Sequence, residues 1–293
     1  MRCARLSRII GVLTVGAALS ALAACSAVKL AYNNLPDIGY WWLDGYVDFN
    51  GTQTPKVRDD LAALLAWHRQ TELPQIALLL QKAQGMAPDN VTAAQDCAFT
   101  DDIRTRLLAV TNQAETAGAE LAVSLDEAQL QQLERKYEKN NADYASDWLK
   151  LTPAKQQQKR YDQFLDRNED FYGRLDADQR ALLRKLTAQS MFDARRLDAE
   201  RRKRQQEALA LLRRFVAERT PATEARLALH AYIQRIAEPP AGPWRDYQNT
   251  LLQEGCLYVA TLHNATTPAQ RQKAVERLRA YEADVRDLMG ARP

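Results

Sequence analysis

Apolar residues recur along this chain at intervals of three and four, in separate stretches that each follow a helix-starting residue. After Asp126 the apolar positions are Leu130, Leu133, Tyr137, Tyr144 and Trp148; after Pro153 they are Tyr161, Phe164, Leu165, Phe171 and Tyr172; after Pro268 they are Val275, Leu278, Tyr281, Val285 and Leu288. Such stripes mark amphipathic helices turned toward a common core. Four Thr-Pro pairs, at 54–55, 152–153, 220–221 and 267–268, are further starts. The threonine oxygen accepts an early amide, and a proline in the first turn lacks only an N–H that has no helical partner there. Asp126–Gln129, Asp176–Gln179 and Thr267–Gln270 have capping-box spacing. The pattern predicts helices near 36–48, 55–70, 74–85, 101–123, 127–150, 153–173, 177–218, 221–237, 243–263 and 268–289. The expected fold class is all-α, an elongated multi-helix bundle of roughly nine or ten amphipathic helices. Flexible breaks are expected at Gln84–Asn90 and at Pro239–Pro243.

One predicted helix departs from the pattern. Between Asp198 and Glu207 the chain has no apolar residue larger than alanine. A helix polar on every side cannot be buried, so the centre of the 177–218 helix is expected to cross solvent between two packed ends.

Composition narrows the alternatives. Only Gly85, Gly118 and Gly173 occur between residues 52 and 241, too few for the turns of a β-sandwich or the phosphate loops of a dinucleotide-binding fold. The net charge of +3 belongs to Arg2, Arg5 and Arg8; with these set aside, 37 basic residues face 37 acidic ones. A neutral chain has no global electrostatic grip on nucleic acid, and none is expected as a partner.

The three arginines open a segment with three zones. Basic Met1–Arg8 is followed by an uncharged, mostly apolar run, Ile9–Ala24, and Leu22-Ala23-Ala24-Cys25 closes it. The run is shorter than the roughly 20 residues of a spanning helix and ends in small residues, as an export signal does. The cysteine after Leu-Ala-Ala resembles the lipobox of bacterial lipoproteins. That resemblance implies cleavage before Cys25, a diacylglyceryl thioether on its sulfur and a fatty acyl group, such as palmitate, on its amine. Residues 1–24 are then the signal and 25–293 a single helical domain, with an aromatic anchor-proximal segment at 26–50. Ser26, in place of an inner-membrane-retaining Asp, favours the outer membrane, facing the periplasm. The aromatics Tyr32, Tyr40, Trp41, Trp42, Tyr46 and Phe49 fall within about 25 residues of the anchor. A stripe of Leu35, Ile38, Trp42, Tyr46 and Phe49 is expected to dock into the bundle, because Asp37, Asp44 and Asp48 opposite it repel anionic lipid; lying on the bilayer is the alternative.

With Cys3 in the signal and Cys25 acylated, Cys97 and Cys256 are left. In an oxidising compartment they are expected to form a disulfide, with two buried free thiols as the alternative.

Catalytic signatures are sparse. His68, His230 and His263 stand in no metal-binding spacing, and no nucleophile-elbow or phosphate-loop motif occurs, so no metal, cofactor or catalytic residue is assigned. The run Arg195, Arg196, Arg201, Arg202, Lys203 and Arg204 is a candidate anion or partner site. Its structural alternative is a solvated helix with pairs such as Glu200–Arg204.

The segment Trp67-His68-Arg69-Gln70-Thr71-Glu72-Leu73-Pro74, with the lipobox, Tyr40-Trp41-Trp42-Leu43-Asp44 and the run Tyr161–Tyr172, resembles an uncharacterised family of helical proteobacterial lipoproteins. The resemblance implies an envelope lipoprotein and brings no catalytic residues. Within the signature, Arg69 and Glu72 have ion-pair spacing where one helix ends and Pro74 opens the next. Leu125–Gln129 and Leu175–Gln179 also resemble the L-T-x-x-Q motif of small periplasmic helical chaperones and stress sensors. The expected function is therefore non-enzymatic, an envelope scaffold or interaction protein whose partners are the membrane, through the anchor, and an envelope protein or anionic lipid. A chaperone-like holdase is the alternative, and a peptidoglycan hydrolase with dispersed carboxylates is the alternative from another class.

Overall fold

A computed structural model of the chain describes residues 29–290; the expected export signal, residues 1–24, and Cys25 lie outside the described residues. The fold is all-α. Among the described residues the helices follow in order as α1 Leu35–Val47, α2 Gln53–Trp67, α3 Leu73–Met86, α4 Ala93–Val123, α5 Glu127–Tyr144 and α6 Pro153–Tyr172. Then come α7 Ala177–Ala188, α8 Ala194–Glu218, α9 Ala222–Ala237, α10 Pro243–Asn264 and α11 Pro268–Gly290, with π turns at His68–Glu72 and Ala145–Leu149. Among the described residues there is no strand, and no helix is long and apolar enough to cross a membrane.

The apolar stripes converge on two core regions. Tyr161, Tyr172, Leu175, Leu183, Leu262 and Ala274 join α6, α7, α10 and α11, and Phe171 extends this core to Val275, Leu278 and Leu80 of α3. The second core gathers Ala119, Ala122, Phe215 and Ala225 from α4, α8 and α9, and Leu212 links it to Val47, Leu125 and Leu130. Helix α4 has 31 residues, about 46 Å at 1.5 Å per residue, and packs against α9, α10 and α2. Cys97 of α4 and Cys256 of α10 are joined by a disulfide, their Cα atoms 5.3 Å apart.

Several boundaries differ from expectation. Helix α4 begins eight residues before the expected 101, where Thr92 and Gln95 form a capping box. The joint ahead of it is fastened: Asn264 bonds both backbone groups of Val91, and Arg271 donates to Pro88 O and Asn90 Oδ1. Helix α2 begins at Gln53, with Asn50 Oδ1 accepting the Gln53 amide, so Pro55 falls inside its first turn. Thr152 and Thr267 cap as their Thr-Pro pairs predict, whereas at 220–221 no side chain caps α9. Gly173 closes α6 at φ 78°, in the left-handed region that glycine accepts without a Cβ clash.

The 177–218 span is two helices. It breaks at Gln189–Asp193, and Asp193 caps α8 by accepting the amides of Arg195 and Arg196. The polar centre on α8 does not cross open solvent. Asp198 is buried, and Arg201 and Arg204 lie against aromatic rings. Arginine permits this because its stem is apolar and its planar guanidinium stacks on rings while ion-paired.

The break expected between 70 and 74 is absent. α2, the first π turn and α3 run on as one helical path, with Leu73 N–H bonded to His68 O. Pro74 has no N–H for the carbonyl four residues back, and the wider π turn carries the chain past it.

Helix α1 docks through only part of the expected stripe. Tyr46 and Phe49 pack against the core beside the buried Val47, and Tyr40 is buried too, whereas Leu35, Ile38 and Trp42 are exposed.

Candidate functional site

Three constructions use polar side chains in ways that packing alone does not require. The first is the π turn carrying the Trp67–Pro74 signature. His68 Nδ1 meets Tyr32 Oη at 2.9 Å, Arg69 donates to Asn33 Oδ1 at 2.8 Å, and the Arg69 guanidinium sits over the Tyr32 ring. Glu72 is buried, with Arg106 Nη1 3.8 Å away. Lys29 adds ion pairs to Asp284 and Asp287 of α11. The signature thus clamps residues 29–33, ahead of α1, onto the body of the protein. Burial lowers the pKa of His68, which favours the neutral ring.

The second is a pair of glutamine clasps with the same geometry. Gln53 and Gln129 each accept, on Oε1, the backbone N–H of the residue three positions earlier, Asn50 and Asp126. Each also donates Nε2 to the other's Oε1, at 3.1 and 2.6 Å, and to a backbone carbonyl, Ser124 O or Asp48 O. Gln179 and Gln270 repeat this over Asp176 and Thr267, with mutual bonds of 2.7 and 2.9 Å and further donations to Ala265 O and Arg174 O. All four glutamines are buried with both donor protons and the carbonyl oxygen in use. The glutamines of the two Leu-Asp-x-x-Gln segments therefore join helix starts that are distant in sequence.

Beside the second clasp, His263 Nε2 faces Asp89 O at 2.8 Å and Nδ1 faces Tyr172 Oη at 2.9 Å. A carbonyl only accepts, so Nε2 carries the proton and Tyr172 donates to Nδ1. Burial lowers the His263 pKa and pushes Tyr172 up to about 12. His230 Nδ1 contacts the buried Glu115 at 2.5 Å, with Arg226 on the other carboxylate oxygen.

The third is a cleft of about 370 Å³ over the polar centre of α8, lined by Tyr137 and Tyr144 of α5, Arg201 and Arg204 of α8, Tyr232 of α9 and Trp244 of α10. The Arg201 guanidinium lies 4.2 Å above the Tyr144 ring and Arg204 lies 5.4 Å above Trp244. Asp198 takes Arg201 at 2.5 Å and Arg202 at 2.8 Å, and Glu200 takes Arg204 at 2.9 Å. Burial alone works against the Asp198 charge, but the hydrogen bonds from Arg202 and Arg201 outweigh it and lower its pKa. Tyr232, pushed up to about 12 by burial, donates to Arg204 O. Arg201 Nε and Trp244 Nε1, on two of the lining side chains, are buried without a hydrogen-bond partner.

The basic run is divided by this arrangement. Arg201 and Arg204 enter the cleft, whereas Arg195, Arg196, Arg202 and Lys203 are exposed. Arg196 reaches Pro243 O and the Tyr247 ring, and Lys203 pairs with Glu207. The aromatic members of the cleft lie on three other helices, so the sequence brought forward only its arginines. Among the described residues no group of three or more His, Cys, Asp or Glu side chains is placed to hold a metal ion.

No curated protein and no solved structure matches the chain. One family model does, over residues 45–229, more than half of the chain, from the end of α1 into α9 and including the signature, the first clasp and α8. The chain belongs to that family, the family of unknown function DUF6279.

Proposed function

We propose that this protein is an envelope lipoprotein, exported by residues 1–24, acylated at Cys25, and held on the periplasmic side of the outer membrane as a non-enzymatic scaffold or interaction protein. The observation that carries the export half of this reading is the Cys97–Cys256 disulfide. Such bonds persist where the surroundings are oxidising, which for a bacterial chain means beyond the inner membrane. It agrees with the three zones of the N-terminal segment and with Cys25 directly after them. The interaction half rests on the cleft of Tyr144, Arg201, Arg204 and Trp244, where stacked guanidiniums, aromatic faces and unfilled donors suit a polar partner surface. The test is crosslinking from intact cells, comparing the native protein with Arg204→Glu and Trp244→Ala. A specific partner captured by the native protein and lost in both variants is expected; equal capture by the variants contradicts the cleft as the site.

A second reading, chaperone-like holding of unfolded envelope proteins, draws on one observation. An apolar groove of about 460 Å³ runs between α1, α2 and α4, lined by Leu43, Val57, Leu61, Leu64 and Leu121. Suppression of model-protein aggregation at equimolar amounts, lost in Leu61→Glu, would favour it. Release of muropeptides from purified peptidoglycan would instead make the protein a hydrolase and contradict both readings.

A further inference from the structure

Helix α1 has two apolar sides and the fold covers one of them. At 100° per residue, Leu43, Val47 and Tyr40 cluster on the side that packs against α2 and α5. On the opposite side Leu35, Ile38, Trp41 and Trp42 fall within an arc of about 120°. Their exposures are 43%, 49%, 67% and 62%. Four large apolar side chains on one exposed face, two of them tryptophans, mark a surface meant to be covered.

The position of the helix selects the occupant. Cys25 precedes Lys29 by four residues, so an acyl chain on Cys25 starts within about 14 Å of extended chain from the clamped segment. Lys29, Tyr32 and Asn33 are fastened to α11 and to the π turn, so the segment leading into α1 is held against the body. Two of the three acids that argue against lipid are engaged, since Asp37 pairs with Arg58 at 2.5 Å and Asp44 accepts the Phe49 amide at 2.9 Å, whereas Asp48, at the end of the helix, is exposed. Tryptophan favours the headgroup boundary, and a short helix with one apolar face lies in that plane.

We infer that the Leu35–Ile38–Trp41–Trp42 face of α1 lies on the lipid bilayer beside the acylated Cys25 and fixes the orientation of the whole protein on the membrane. This rests on the lipoprotein reading and adds a second membrane contact to the anchor. The face supplies apolar contact and the anchor supplies retention, so binding needs no net positive charge.

The test uses the full lipidated protein reconstituted into phosphatidylethanolamine–phosphatidylglycerol vesicles containing brominated phosphatidylcholine. Tryptophan quenching is measured on protein that floats with the vesicles. Strong quenching is expected in the native protein, with most of it lost in the Trp41→Phe/Trp42→Phe variant. Both side chains are exposed, so an unchanged thermal transition should confirm that the variant folds. Protein that floats with Trp41 and Trp42 unquenched overturns the seating while the anchor stands. Protein that does not float overturns both. Absent quenching together with a dimer in solution, broken by the same variant, assigns the face to a second copy and also overturns the seating.

Discussion

Gln129 and Gln179 each cap one helix and clasp another, so one side-chain amide serves two distant segments. Replacing Gln179 by Ala leaves the Asp176 amide, Ala265 O, and both Oε1 and Nε2 of Gln270 without this partner in a buried site. The expected loss is about 1–3 kcal/mol of unfolding free energy, read from urea denaturation. The capping half of each motif is legible in the sequence as Asp-x-x-Gln. The clasping half is not, because Gln53 meets Gln129 and Gln179 meets Gln270 across 76 and 91 positions. A second prediction concerns pH. His263 and His68 have pKa values lowered by burial from 6.5, so above that value both folded and unfolded chains are neutral and the histidines contribute no slope. As pH falls below 6.5 the unfolded chain binds protons first, and stability declines until the folded-state pKa is passed. Asp96, raised by burial, acts in the opposite sense in the carboxylate range below. Thermal unfolding of the native protein and of His263→Gln between pH 7.5 and about 5.5 should give a shallower decline in the variant.

Helix by helix, the 3.6-residue period locates the elements, and caps decide where they start. Thr92-Ala93-Ala94-Gln95 is a complete capping box, yet no large apolar residue follows at once, and the start of α4 was expected later. Thr92→Ala should cost about 1 kcal/mol. The break before α8 is hidden in the opposite way, since Met191 and Phe192 continue an apolar pattern through a segment that Asp193 restarts as a new helix. On α8 itself, a polar sequence does not mean exposure, because aromatic rings from other helices supply the faces on which its arginines stack. Asp198→Ala removes the carboxylate that holds Arg201 and Arg202. Both guanidiniums are about a third or more exposed, so solvent moderates the loss to about 1–2 kcal/mol. The same change should shift the emission of Trp244, whose cleft Arg201 shares.

Across the whole molecule, two cores are bridged by α4, and the disulfide ties α4 to α10 over 159 residues. Closing so long a loop restricts the unfolded chain, and Cys97→Ser/Cys256→Ser should lose about 2–5 kcal/mol in denaturant unfolding. All-α class and the two remaining cysteines were readable from composition and spacing. Which face of α1 is covered was not, because both sides of that helix are apolar and only packing against α2 and α5 distinguishes them. The signature residues take their meaning at this scale, since His68 and Arg69 hold the segment that leads to Cys25. The central claim is that this chain is exported and anchored by lipid at Cys25. Mass spectrometry of the protein extracted from its native envelope tests it most directly. An N-terminal peptide that begins at Cys25 and carries a diacylglyceryl group with an acylated amine is the predicted result; a chain that retains residues 1–24, or one with Cys25 unmodified, would contradict it.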